Sequence, residues 1–199
     1  MENTMEKRPV NIYLEKNPNP NSLKFCANFM LVPEGDSFDF PDAQSAQHAP
    51  LAKELFNFPF VERVFYMNNF VTVTKAEGVE WEDVQIALRD YIKEYLEEGK
   101  KVIDFKEVEK EQAQQSGVAT DGSEIDIKIK GILDEYIKPA VEMDGGAIQY
   151  HSFNEGTVKV LLQGSCSGCP SSMITLKQGI ENLLKSMMPE VKEVVAEGV

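Results

Sequence analysis

Cys166 and Cys169 are the residues of this sequence whose type and spacing best suit chemistry. A two-residue gap lets both sulfurs turn toward one centre, and Gly164 and Gly168 leave the loop free to bend around it. Pro170 suits the first turn of a following helix, where its missing N–H costs nothing. Free amides and the positive end of a helix dipole beside the pair would favour anionic sulfur. Metal ligation and thiol–disulfide chemistry both need that thiolate. No histidine or third cysteine lies close in sequence, so one chain offers two ligands where a metal site usually wants four. Four readings follow: buried packing residues, dithiol–disulfide exchange, a zinc site completed by a second chain, or an iron–sulfur cluster shared by two chains. Spacing does not separate iron from zinc.

The elements that must hold this pair lie in residues 123–199. Ser123 is a natural N-cap for a helix whose apolar face is Ile125, Ile129, Ile132, Leu133 and Tyr136, and Pro139 is expected to limit it. Asp144-Gly145-Gly146 supplies a turn that could orient the cysteine loop, although a plain turn explains it equally well. Ile148, Tyr150 and the run Thr157-Val158-Lys159-Val160-Leu161-Leu162 form a hairpin around Asn154-Glu155-Gly156. After the cysteines, Met173, Leu176, Ile180, Leu183, Leu184 and Met187 mark one face of a second helix, and Val191 to Ala196 reads as a short strand. The expected order is helix, hairpin, helix, strand, with the helices on one face of a short sheet.

Residues upstream form a separate zone. Val10 to Leu14 and Leu23 to Cys26 read as strands around the stiff turn Asn17-Pro18-Asn19-Pro20-Asn21. Val61 to Tyr66 and Phe70 to Thr74 flank Asn68-Asn69 as a hairpin, and Val84, Leu88, Tyr91, Ile92 and Tyr95 fit an amphipathic helix. Cys26 reads as a small apolar strand residue outside any site. The Glu-, Lys-, Gln- and Gly-rich stretch between the zones offers nothing to bury and reads as a linker. The expected layout is an N-terminal domain over 8–106, a flexible linker over 107–123 and a C-terminal domain over 124–199. The fold class is α/β (α+β), in two small domains.

Composition narrows the function. The 199 residues carry 20 Lys+Arg against 33 Asp+Glu, a net charge of −13, and residues 123–199 alone hold 7 Lys against 11 Asp+Glu. No basic surface is available for a nucleic acid or an anionic membrane, and no apolar run approaches the ~20 residues of a membrane span. Residues 1–8 lack the apolar core of a signal peptide and carry two glutamates that suit a transit peptide poorly, so a cytoplasmic location is expected. Three cysteines in a reducing compartment do not make a disulfide scaffold. No triad, phosphate loop or nicotinamide fingerprint is visible, so no enzyme activity is expected.

The stretches Ile132-Leu133-Asp134-Glu135-Tyr136-Ile137-Lys138-Pro139-Ala140, Met143-Asp144-Gly145-Gly146, Gly164-Ser165-Cys166-Ser167-Gly168-Cys169-Pro170-Ser171-Ser172 and Thr175-Leu176-Lys177-Gln178-Gly179-Ile180-Glu181 stand in this order. Together they resemble the C-terminal domain of NifU-like (Nfu-type) iron–sulfur proteins. Pro18-Asn19-Pro20-Asn21-Ser22-Leu23-Lys24-Phe25, Pro50-Leu51-Ala52-Lys53-Glu54-Leu55-Phe56 and Phe70-Val71-Thr72-Val73-Thr74-Lys75 resemble the N-terminal Nfu domain that accompanies it. The resemblance departs at Ala147, where many relatives carry an acidic residue. It implies a carrier that holds a [4Fe–4S] cluster between two subunits, with Cys166 and Cys169 of each chain as cluster ligands. It also implies an upstream assembly scaffold as donor and apo iron–sulfur proteins as clients, the chain being a homodimer when loaded.

Overall fold

The computed structural model describes residues 9–105, 107, 123–167 and 170–198, with the backbone alone for 170–172. The expected linker lies outside the described residues apart from Glu107 and Ser123. Two compact units divide the chain, residues 16–23 grouping with the second.

The first unit is built on a five-stranded sheet of order β1-β2-β5-β4-β3. Its strands are β1 (Ile12–Lys16), β2 (Ser22–Ala27), β3 (Ser37–Phe40), β4 (Val61–Met67) and β5 (Phe70–Lys75). The β4–β5 hairpin turns at Asn68, whose φ of 48° is a left-handed conformation that asparagine tolerates. Asn69 fixes the turn to β2, its side-chain amide donating to the Ala27 carbonyl at 2.8 Å. Helices α1 (Pro50–Leu55) and α2 (Trp81–Glu97) bury Leu51, Leu55, Leu88 and Ile92. Two elements are additional to the sequence expectation. Strand β3 has only four residues and is set by antiparallel pairing, Phe38 opposite Tyr66 and Phe40 opposite Val64. Helix α1 has six residues, fewer than two turns, which is too short to display a periodic face.

The second unit carries a three-stranded sheet of order β6-β7-β8, from β6 (Gly146–Asn154), β7 (Thr157–Gly164) and β8 (Glu193–Gly198). Strand β6 pairs with β7 antiparallel through a two-residue turn in which Glu155 and Gly156 both have positive φ, as a tight hairpin needs. Strand β8 pairs with β7 in parallel, the crossover being helix α5 (Pro170–Met187). Along β7, Val158, Val160 and Leu162 are buried and alternate with half-buried residues. They meet Ile129, Leu133, Ile180, Leu184, Met188 and Val191 in one core. Full burial of each such side chain stabilises the unit by about 1.5–3 kcal/mol.

Helix α3 (Glu124–Ile132) begins as the sequence requires. The Ser123 hydroxyl accepts from the Asp126 amide and the Asp126 carboxylate accepts from the Ser123 amide, a reciprocal capping box. Tyr150 on β6 donates its hydroxyl to the same carboxylate, which locks the helix start to the sheet. The helix then departs from expectation. Residues Leu133–Ile137 form a wide π-turn, in which the Lys138 amide donates to the Leu133 carbonyl five residues back. The extra residue carries the chain round the Pro139 ring, so helix α4 (Lys138–Met143) continues where the proline was expected to end the run. It also re-phases the face. Leu133 and Val141 are buried, whereas Tyr136, expected in the core, is 49% exposed. On α5 the expected core residue Met187 is exposed, and Met188 takes the buried place just beyond the helix end.

Candidate functional site

Strand β7 delivers the cysteine loop. Its last residue, Gly164, adopts φ 65°, a left-handed bend that side-chain-bearing residues resist. Gly164 lies opposite Gly146, so the loop leaves β7 beside the first residue of β6 and the turn at 144–146. Hydrogen bonds join loop to turn. The Ser165 hydroxyl donates to the Asp144 carbonyl at 2.5 Å, and the Ser165 amide donates to the Gly145 carbonyl at 3.3 Å. Within the loop, the Ser167 amide and hydroxyl both donate to the Gly164 carbonyl, at 3.2 and 3.1 Å. The turn at 144–146 therefore contacts the loop through specific groups.

Cys166 sits 7% exposed on the inner side of this loop, in contact with the apolar core. Its Sγ is 3.8 Å from the Ser165 hydroxyl. It also lies so close to Gly146 that a Cβ built there would be 2.8 Å from the sulfur and 2.6 Å from the Gln163 carbonyl oxygen. At the other side of the loop, a Cβ on Gly198 would be 2.8 Å from the Ser167 carbonyl oxygen, so the end of β8 backs the loop just as closely. Neither glycine was singled out for this by the sequence, because the requirement arises from strands distant in the chain.

Burial pushes the Cys166 thiol above its ordinary value of 9.0; the Ser165 hydroxyl works against that shift and the Asp144 carboxylate adds to it. Desolvation acts this way because it penalises the charged sulfur. Gly168 and Cys169, the other half of the expected pair, lie outside the described residues. Among the described residues no group of three or more His, Cys, Asp or Glu is placed to hold a metal ion. Cys26 lies in the first unit on β2, 3% exposed, where burial pushes its thiol up to about 12. No helix among the described residues is long and apolar enough to cross a membrane.

Comparison with known proteins finds two family matches. Residues 12–99 match the family described as "Scaffold protein Nfu/NifU N terminal" and residues 129–195 the "NifU-like domain". The chain is 37% identical over 190 residues to the "NFU1 iron-sulfur cluster scaffold homolog, mitochondrial" of Drosophila willistoni, covering 96% of this chain and 64% of that protein. It is 39% identical over 194 residues to "NifU-like protein 4, mitochondrial" of Arabidopsis thaliana, covering 96% of this chain and 68% of that protein. The chain thus spans about two thirds of the length of these relatives. Part of the chain is similar to the solution NMR structure of a NifU-like protein from Saccharomyces cerevisiae, with TM-score 0.45 and 28% identity over 50% of this chain and 88% of that one.

The relatives correct one expectation. They are named as mitochondrial proteins, which overturns the cytoplasmic location inferred from composition and residues 1–8. The physical reason is that charge and cysteine count describe an acidic chain and carry no address.

Proposed function

The chain belongs to the NifU-like family, and on that premise we propose that it is an iron–sulfur cluster scaffold. Its cargo is a [4Fe–4S] cluster held between two copies of the chain, with Cys166 and Cys169 of each copy as ligands, and handed on to apo-proteins. An upstream assembly scaffold is the donor, and the chain turns over no small substrate of its own. Residues 8–106 and 124–199 act as separate domains joined by 107–123.

The observation that carries this reading is the placement of Cys166. It stands at the end of β7 on a loop bonded to the 144–146 turn, inside the stretch that matches the NifU-like domain. The chemistry fits a cargo more than a permanent cofactor. Two bonds per chain complete a four-thiolate shell only when two chains meet, and a client's thiolates can replace them one at a time. The buried thiol is protonated when unloaded, so loading releases a proton and unloading takes one up.

Anaerobic reconstitution of the full chain with iron and sulfide tests the proposal. The expected product is a brown dimer with about four irons per pair of chains, and Cys166→Ser abolishes it. A colourless monomer that reduces insulin disulfides would establish a thiol oxidoreductase instead. A colourless dimer that retains zinc would establish a zinc-bridged structural dimer.

A further inference from the structure

Ser165 joins the loop that carries Cys166 to the 144–146 turn. Ser165 is 2% exposed, and its carbonyl accepts from the Asn19 side-chain amide at 2.9 Å. Its hydroxyl donates to the Asp144 carbonyl at 2.5 Å, its amide to the Gly145 carbonyl at 3.3 Å, and its Oγ lies 3.8 Å from the Cys166 sulfur. The chain bends beside both partners of these bonds, with Gly164 before Ser165 at φ 65° and Gly145 after Asp144 at φ 78°.

We infer that Ser165 is a positioning residue for Cys166, tying the cysteine loop to the 144–146 turn and so setting where the sulfur stands. The geometry gives its hydroxyl and amide different tasks. The hydroxyl proton is committed to the Asp144 carbonyl, which fixes the hydroxyl's rotation. The amide bond to Gly145 fixes the loop's approach to β6. The Ser165 Oγ then stands 3.8 Å from the Cys166 sulfur. Gly146 closes the mould from below, because its lack of a Cβ allows the sulfur to rest against the start of β6. Ser167 is bonded back to the loop's own Gly164 carbonyl, a bond that shapes the loop without tying it to the turn.

This inference rests on the reading of Cys166 as a cargo ligand only in its consequence for cargo; the geometry itself is testable in the unloaded chain. Amide hydrogen exchange of the full unloaded chain is compared for wild type, Ser165→Ala and Ser167→Ala, corrected for intrinsic rates. Ser165→Ala should speed exchange at the amides of residues 165 and 166 about tenfold, the scale of one lost hydrogen bond to a buried carbonyl. The amides of Val160 and Ile180 in the core should stay within twofold of wild type, and Ser167→Ala should leave residue 165 within twofold. Unchanged exchange at 165 and 166, or equal acceleration throughout the second unit, overturns the inference. Should Ser165→Ala not fold, the isosteric pair Ser165→Thr and Ser165→Val, which differ in the hydroxyl alone, gives the same comparison. On reconstituted protein, Ser165→Val should lose iron to a chelator about tenfold faster than Ser165→Thr. Equal iron loss with the exchange difference intact would overturn the cargo reading of Cys166 and spare the positioning role.

Discussion

Replacing Gly146 with alanine places one methyl group in the tightest gap of the site. The new Cβ would stand 2.6 Å from the Gln163 carbonyl oxygen, 2.8 Å from the Cys166 sulfur and 3.3 Å from the Cys166 Cβ. Ordinary contact begins at 3.4 Å, so the oxygen would have to retreat 0.8 Å and the sulfur 0.6 Å. The oxygen belongs to the paired β6–β7 ladder, in which Ala147 lies opposite Gln163, and cannot retreat without disturbing that pairing. Overpacking of this kind costs about 1–3 kcal/mol, and one kcal/mol lowers the melting temperature of a domain this size by roughly 4–8 °C. The expected fall is therefore roughly 8–16 °C for a mid-range cost of about 2 kcal/mol. The same substitution at Gly179 on α5 meets nothing within 4 Å and should instead stabilise by up to about 1 kcal/mol through helix propensity. Circular dichroism melts of the unloaded chain, with iron content after reconstitution, check both. A Gly146→Ala protein that melts with wild type and binds iron equally would refute the steric argument.

Other outcomes follow from the same structure. Ser123→Ala removes half of the capping box and should cost about 1 kcal/mol in urea denaturation. Tyr150 and Ser123 hold the Asp126 carboxyl below its ordinary value of 3.8, Tyr150 contributing most. The stabilisation this carries is present above that value and is lost as pH falls through the lowered one, so Asp126→Asn should flatten the acid side of a plot of melting temperature against pH. Leu184→Ala should cost about 2–5 kcal/mol in the second unit and Leu88→Ala a similar amount in the first. If 8–106 and 124–199 are separate domains, calorimetry will show each substitution lowering one transition and leaving the other in place. Cys26, with its thiol raised to about 12 by burial, should react with iodoacetamide at pH 8 roughly 100-fold more slowly in the native chain than in urea. Cys26→Ala should leave iron content unchanged.

What the sequence disclosed depended on whether the cause was local. Ser123 announced a helix start because a cap acts over three residues, and Glu155-Gly156 announced a hairpin because a turn acts over two. Gly164 was legible as a bend for the same reason. The π-turn was not, since nothing in Leu133-Asp134-Glu135-Tyr136-Ile137 departs from a plausible α-helical pattern, and a proline suggested a stop. Tyr136 was accordingly assigned to the core on a period that the real helix does not keep. In the site, Cys166 could be found by its spacing from Cys169, but the roles of Gly146 and Gly198 depend on neighbours 20 and 31 residues away in sequence. Ser165 was visible only as a letter in a motif. Its importance comes from a carbonyl 21 positions earlier, and serine offers no signal of which carbonyl it will reach.

The wide turn at Leu133–Ile137 lets this helix hold one residue more than its period allows. A π-turn amounts to an α-helix holding one surplus residue, so losing any one of those five would restore the common period. Leu133 and Val141 would then stand about seven residues apart, still within about 20° of one face, and Val141 would keep its place in the core. The loss would fall on Pro139 instead, whose ring would press on the carbonyl four residues back at a cost of about 3 kcal/mol. The surplus residue therefore makes room for the proline, and a variant lacking both should keep the Asp144 carbonyl that receives Ser165 in place.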